Sequence, residues 1–249
     1  MKKILSIVVL ILLISSLSGC MGVKTFATDR EIEEFIEKLE ENFTENDYSY
    51  KFTTTSNYKE KNKKGTEISK QTVKGVVTVD YFDGYYSKSY DISGTIKEKT
   101  VTPTLKGKEV EKSNVKESII YLSAAHRSKD EGIYYIDSKV TNKDEDGKTK
   151  KNIKTTDSYV KNLSVVDVES LISDMVRENN YFYVKGNKYK VVVNGSNYVK
   201  EYVVVFDGDD IKSIKYTYES HYSKTVTKIK FVDYTDIEKP KNASDYESD

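Results

Sequence analysis

Residues able to do chemistry are few in this chain, and their spacing does not suit it. Its two histidines, His126 and His221, lie nearly a hundred residues apart. Neither stands in an HExxH or cysteine-rich pattern, so metal-ligand spacing is missing. Serines and aspartates abound, but no GxSxG turn raises a nucleophile beside either imidazole. "DEDGK" at 144–148 and "DGDD" at 207–210 have the acidity of calcium loops without their ligand spacing or closing glutamate. Both read as hairpin tips. Only Arg30, Arg127 and Arg177 among the 40 basic residues are arginine, a thin inventory for forked recognition of phosphate. Those 40 cations balance 40 carboxylates, so no net field draws the chain to nucleic acid. The expectation is a protein that is not an enzyme, with no catalytic residue, no metal site, no cofactor and no nucleic-acid partner.

One residue does invite a covalent reaction. Lys2 and Lys3 precede an apolar run of fourteen residues, 4–17, too short for the roughly 20 residues of a membrane-crossing helix. Residues 1–19 read as a signal peptide. The run closes on "LSGC" at 17–20, which resembles the lipobox of bacterial lipoproteins. That resemblance implies cleavage before Cys20, a thioether to diacylglycerol, palmitate-type acylation, and attachment to the extracytoplasmic face of the cell membrane. Cys20 is the only cysteine, so no disulfide competes for it. One acyl chain binds a bilayer marginally whereas two or more hold stably. Losing Lys2 and Lys3 with the signal leaves 38 basic residues against 40 acidic ones, still near neutrality.

After a tether at 20–27, "TDREIEEFIEKLEENF" has capping-box spacing from Thr28 to Glu31 and apolar residues Ile32, Phe35, Ile36, Leu39 and Phe43 at helical intervals. A second helix is predicted over 164–178, capped by Ser164 and Asp167, with Val168, Leu171, Ile172, Met175 and Val176 as its buried stripe. Between and after them run strands with Thr, Tyr and Val in alternation, separated by turns such as Asp83-Gly84 and Asp146-Gly147. The connections are too short for crossovers, which makes the meander antiparallel. "YKEKNKKGTEISK" at 58–70 and "TPTLKGKEVEK" at 102–112 read as solvated polar loops. Val203 to Phe206 are consecutively apolar, so both faces of that strand should be shielded. The 21 tyrosines, with no tryptophan, are either ordinary strand aromatics or the lining of a cavity mouth. The fold class expected is α+β, a large curled antiparallel sheet, or half-barrel, with two helices packed on its concave side. Residues 28–240 form its single domain, and 241–249 a disordered tail with nothing to bury.

The closing segment "HYSKTVTKIKFVDYTDIEKP", with Ile229, Phe231, Asp233 and Tyr234 leading through Ile237 to Pro240, resembles the end of the LolA-like fold. Periplasmic lipoprotein carriers and LppX/LprG-like mycobacterial lipoproteins share that fold. The resemblance extends to the order of helices and strands over most of residues 28–240. It implies a concave apolar surface able to hold a lipid or another lipoprotein's acyl chains. Residues expected to line it are Phe35, Leu39, Leu171 and Met175 from the helices, with Val203, Val205, Ile229 and Phe231 from the strands. The family's soluble carriers use an arginine on an early strand, and this chain has none there, which points to an anchored holder. The alternative is a surface interaction or scaffold lipoprotein with a filled core and no ligand.

Overall fold

The computed structural model describes residues 25–62, 65–101, 109–127, 131–143, 147–156, 163, 165–177 and 180–246. The signal segment, Cys20 and Ser164 lie outside them. Alternation of β-formers with lysine gives strands that are apolar on one face only. Two meanders result. The first comprises β2 (Tyr48–Asn62), β3 (Gly65–Phe82), β4 (Tyr85–Val101), β5 (Glu109–Leu122), β6 (Ile133–Lys143) and β7 (Lys148–Thr155). The second comprises β8 (Tyr181–Lys185), β9 (Lys188–Asn194), β10 (Tyr198–Asp207), β11 (Asp210–Ser220) and β12 (Ser223–Val232). Antiparallel pairing of β12 with β2 joins them, and β1 (Thr25–Phe26) adds outside β8. The product is one open, antiparallel, twelve-stranded sheet whose edges are β1 and β7.

The helices travel where hairpins cannot. Helix α1 (Asp29–Phe43) carries the chain from the β1 edge to β2 in the middle of the sheet, and α2 (Ala124–Arg127) is a single turn after β5. Helix α3 (Val168–Met175) lies on the return path from the β7 edge to β8. The capping box at Thr28 forms: its hydroxyl accepts from the Glu31 N–H, and the Glu31 carboxylate accepts from the Thr28 N–H at 2.8 Å. Helix α3 is shorter than 164–178 and is capped by Asp167, which accepts from the Glu169 N–H at 3.2 Å. Asp83 and Gly84 both have positive φ, 48° and 82°, the backbone of a two-residue type I′ hairpin.

Cross-strand partners share a face, so one row of register defines the inside. It runs Tyr189, Val204, Ile214, Ile229, Phe52, Gly75, Ile92, Glu117 and Ser138 across β9 to β6. Every side chain in that row is buried. Helix α3 touches the row's face at distant strands. Asp174 accepts from the Tyr202 hydroxyl on β10 at 2.9 Å, while Glu169 pairs with Lys88 on β4 at 3.1 Å. Five inter-strand steps separate β10 from β4, about 24 Å in a flat sheet, whereas an eight-residue helix is about 12 Å long. The sheet therefore curls around its helices. The architecture is α+β, an open curled sheet with two helices of two turns or more on its inner face.

Three expectations are corrected. Segment 58–70 is no loop, because β2 and β3 continue through it in register from Tyr58 opposite Ser69 to Lys61 opposite Thr66. Val176 ends α3 37% exposed instead of buried. The tail does bury something, since Tyr246 packs on Tyr135 with ring centroids 5.5 Å apart.

Helix α1 is held by its seat more than by its cap. Phe35→Ala is expected to cost about 3–5 kcal/mol in urea denaturation, against about 1 kcal/mol for Thr28→Ala. Equal losses would contradict this.

Candidate functional site

The space that a guest would occupy lies between α1, α3 and the inner face of the sheet, and six of the eight residues expected to line it do point there. Phe35 and Leu39 on α1 and Met175 on α3 have no exposure; Leu171 and Ile229 are 6% and 2% exposed. Phe231 packs its ring against Phe43 and Tyr50, with centroids 5.4 and 6.0 Å away. Val203 and Val205 are the exceptions. The inner residues of β10 are Tyr202, Val204 and Phe206, and the period of two turns the valines between them to the outer face. Consecutive apolar letters concealed which of the two sets is inside.

The inward residues meet one another. The Phe35 ring stacks on Tyr189 at 4.9 Å and meets Phe206 and Phe182 edge-on, both at 6.1 Å. Gly94 on β4 provides the seat of Leu163, since a methyl group there would come within 2.8 Å of the leucine side chain. A contiguous cluster of buried side chains joins both helices to β2–β5 and β9–β12. An opening of about 420 Å³ lies at the C-terminal end of α1 beside the β10–β11 turn. Of the eight expected lining residues, only Phe231 borders it. Its apolar floor of Phe43, Ile211 and Phe231 is rimmed by Glu41, Asp47, Asp209 and Asp210. Such a rim repels the anionic head of a fatty acid.

Several polar groups on the inner face hold α3. Asp174 accepts from Lys200 and Tyr202 and pairs with Arg177 at 3.2 Å. Burial pushes the Asp174 carboxyl up, but the hydrogen bonds from Lys200 and Tyr202 and the charges of Lys200 and Arg177 outweigh it and hold it below the usual carboxylate range. Burial, then the hydrogen bond to Asp174, pushes the Tyr202 hydroxyl well above its ordinary value. Lys88 lies 3.7 Å from Asp167 and 3.1 Å from Glu169, which also accepts from Tyr48. Tyr50 donates to the Val166 carbonyl at 3.1 Å. Tyr48, Tyr50 and Tyr202 thus anchor α3 through their hydroxyls while their rings fill the core.

Glu117 is a wholly buried carboxylate that accepts from Ser138 at 3.1 Å. Sequence reading passed over it, although its place between Val115 and Ile119 on the apolar parity of β5 is the signal for an inward carboxylate. His221 is exposed on the β11–β12 turn, its ring 4.7 Å from Tyr222. "DGDD" is a hairpin tip, with Asp207 opposite Asp210, and Lys38 of α1 pairs with Asp209 at 3.0 Å. Among the described residues no three His, Cys, Asp or Glu side chains are grouped to hold a metal, and no helix is long and apolar enough to cross a membrane.

Comparison with protein-family models, curated proteins and solved structures finds no match to this chain.

Asp174→Asn is expected to cost about 1–3 kcal/mol at neutral pH. Because the folded carboxyl has a depressed pKa, its contribution is full above the unfolded value and is lost as the pH falls through the folded one. Melting temperatures of the two proteins should therefore differ at pH 7 and converge as the pH falls below the folded value. A gap independent of pH would contradict the assignment.

Proposed function

We propose that this chain is a lipid-anchored extracytoplasmic scaffold that works through its outer surfaces, with a core closed to lipid. The observation that carries the reading is the complete burial of Phe35, Leu39 and Met175 against the protein's own rings and aliphatic groups. Holding an acyl chain between helices and sheet would require several of these groups to leave, each at a cost of a few kcal/mol of lost burial. The acid-rimmed opening near Phe231 offers no compensating recognition of an anionic lipid head. On this reading the LolA-like resemblance extends to the shape of the sheet and stops short of the family's cargo.

The anchor belongs to the same proposal. It rests on "LSGC" and the apolar run before it, with only a few residues between Cys20 and β1, so a tethered body would stand close to the bilayer.

Three measurements test the reading. In cells fed labelled palmitate, the wild-type chain should become labelled and Cys20→Ser should not. Native mass spectrometry of the extracted chain should give the mass of protein plus covalent acyl groups alone, and a dansylated fatty acid should give no saturable signal. One-to-one uptake of the dansyl probe, lost in Leu39→Trp or Met175→Trp, would overturn the closed core. Equal palmitate labelling of both chains would overturn the anchor.

A further inference from the structure

The outer face of the sheet carries charge in an arrangement that only register reveals. Lys70, Lys97, Lys112, Lys143 and Lys148 are direct cross-strand partners on the five consecutive strands β3 to β7. All five are exposed, and none makes an ion pair among the described residues. At about 4.8 Å per strand the row is about 19 Å long. Like charges placed directly opposite each other destabilise a sheet, and the fold gains nothing visible from setting five side by side.

We propose that this row is the binding site of a linear polyanion bearing a phosphate at each repeat, lying across β3–β7 on the outer face. The inference rests on the reading of the protein as a surface-working scaffold and names its partner class. Three features favour an extended polymer. First, the charges run as a line across five strands, and the neighbouring row, Thr72, Thr95, Asn114 and Thr141, offers hydroxyls and an amide and brings in charge only at its β7 end, through Lys150. Second, the row bends with the curled sheet, so a flexible chain can follow it whereas a flat bilayer meets only part. Third, lysines are point charges that neutralise successive phosphates without forked geometry. The flanking row also lacks rings on which nucleobases would stack, so the recognition is of backbone charge.

Overall neutrality argued against a nucleic-acid partner and the few arginines against phosphate recognition, but the balance of charge conceals how the charges are segregated. Exposed Glu33, Glu34, Glu37, Glu40 and Glu41 lie on α1, on the opposite side of the sheet from the row. A lysine row on one side and a glutamate-rich helix on the other thus coexist with a sum near zero.

The test is titration of the full chain, held in nanodiscs of zwitterionic lipid, with fluorescently labelled inorganic polyphosphate over a series of salt concentrations. Log affinity should fall linearly with log salt. The triple variant Lys97→Gln, Lys112→Gln, Lys143→Gln should bind at least about tenfold more weakly, with the slope reduced by about 2–3. Its melting temperature should hold or rise, since repulsion is relieved. A control triple outside the row, Lys51→Gln, Lys188→Gln, Lys215→Gln, should weaken binding much less, and the single Lys112→Gln should give a fraction of the triple's effect. No polyphosphate binding by the wild type, or equal weakening by both triples, overturns the proposal. So does a row variant that loses binding to phosphatidylglycerol vesicles, or to a single-stranded oligonucleotide, while keeping polyphosphate. Lipid uptake is measured separately, so the closed core can stand while this site fails, and the reverse.

Discussion

One constraint governs this molecule: a wide antiparallel sheet with one predominantly apolar face, and no second sheet among the described residues, must hide that face from water. Hairpins alone cannot do so, because they leave each strand beside its neighbour in the same layer. The two long crossovers, from β1 to β2 and from β7 to β8, are the segments free to lie over the sheet, and the helices form there. Their combined width is far less than that of twelve strands, so the sheet curls until its inner rows meet the helix stripes. Phe35, Leu39, Leu171 and Met175 are buried for this reason, and so are the tyrosines whose hydroxyls fasten α3.

Curling also divides the protein chemically. Strand parity places most aliphatic and aromatic side chains inside and most lysines outside, while α1 turns its glutamates to solvent on the other side of the layer. The near-zero net charge thus conceals a lysine row on one side and a glutamate-rich helix face on the other. The cost of crowding lysines on the outer face is borne by the buried core, which is extensive enough to tolerate repulsion at the surface.

Much of this organisation was legible in the sequence. The box from Thr28 to Glu31, the helical spacing of Phe35, Leu39 and Phe43, and the alternation of Lys228, Ile229 and Lys230 are local patterns, and local physics produced what they imply. The curled antiparallel sheet with two helices followed from the order of those patterns. Illegible were the features that depend on register between strands distant in sequence. The inward turn of Val204 in place of Val203 and Val205 is one, Glu117 in the buried row is another, and the alignment of Lys70 with Lys97, Lys112, Lys143 and Lys148 is the third. A lysine within "SKQTVK" looks like any solvated strand residue until its cross-strand partners are known.

The claim on which the account stands is that α1 and α3 fill the hollow of the sheet with the protein's own side chains. A crystal structure of the chain purified from its native membrane, without delipidation, measures this most directly. The account predicts continuous density from the Phe35, Leu39 and Met175 side chains to Tyr189, Val204 and Ile229, with nothing between. An elongated density running through that space, with those side chains turned aside, would contradict it.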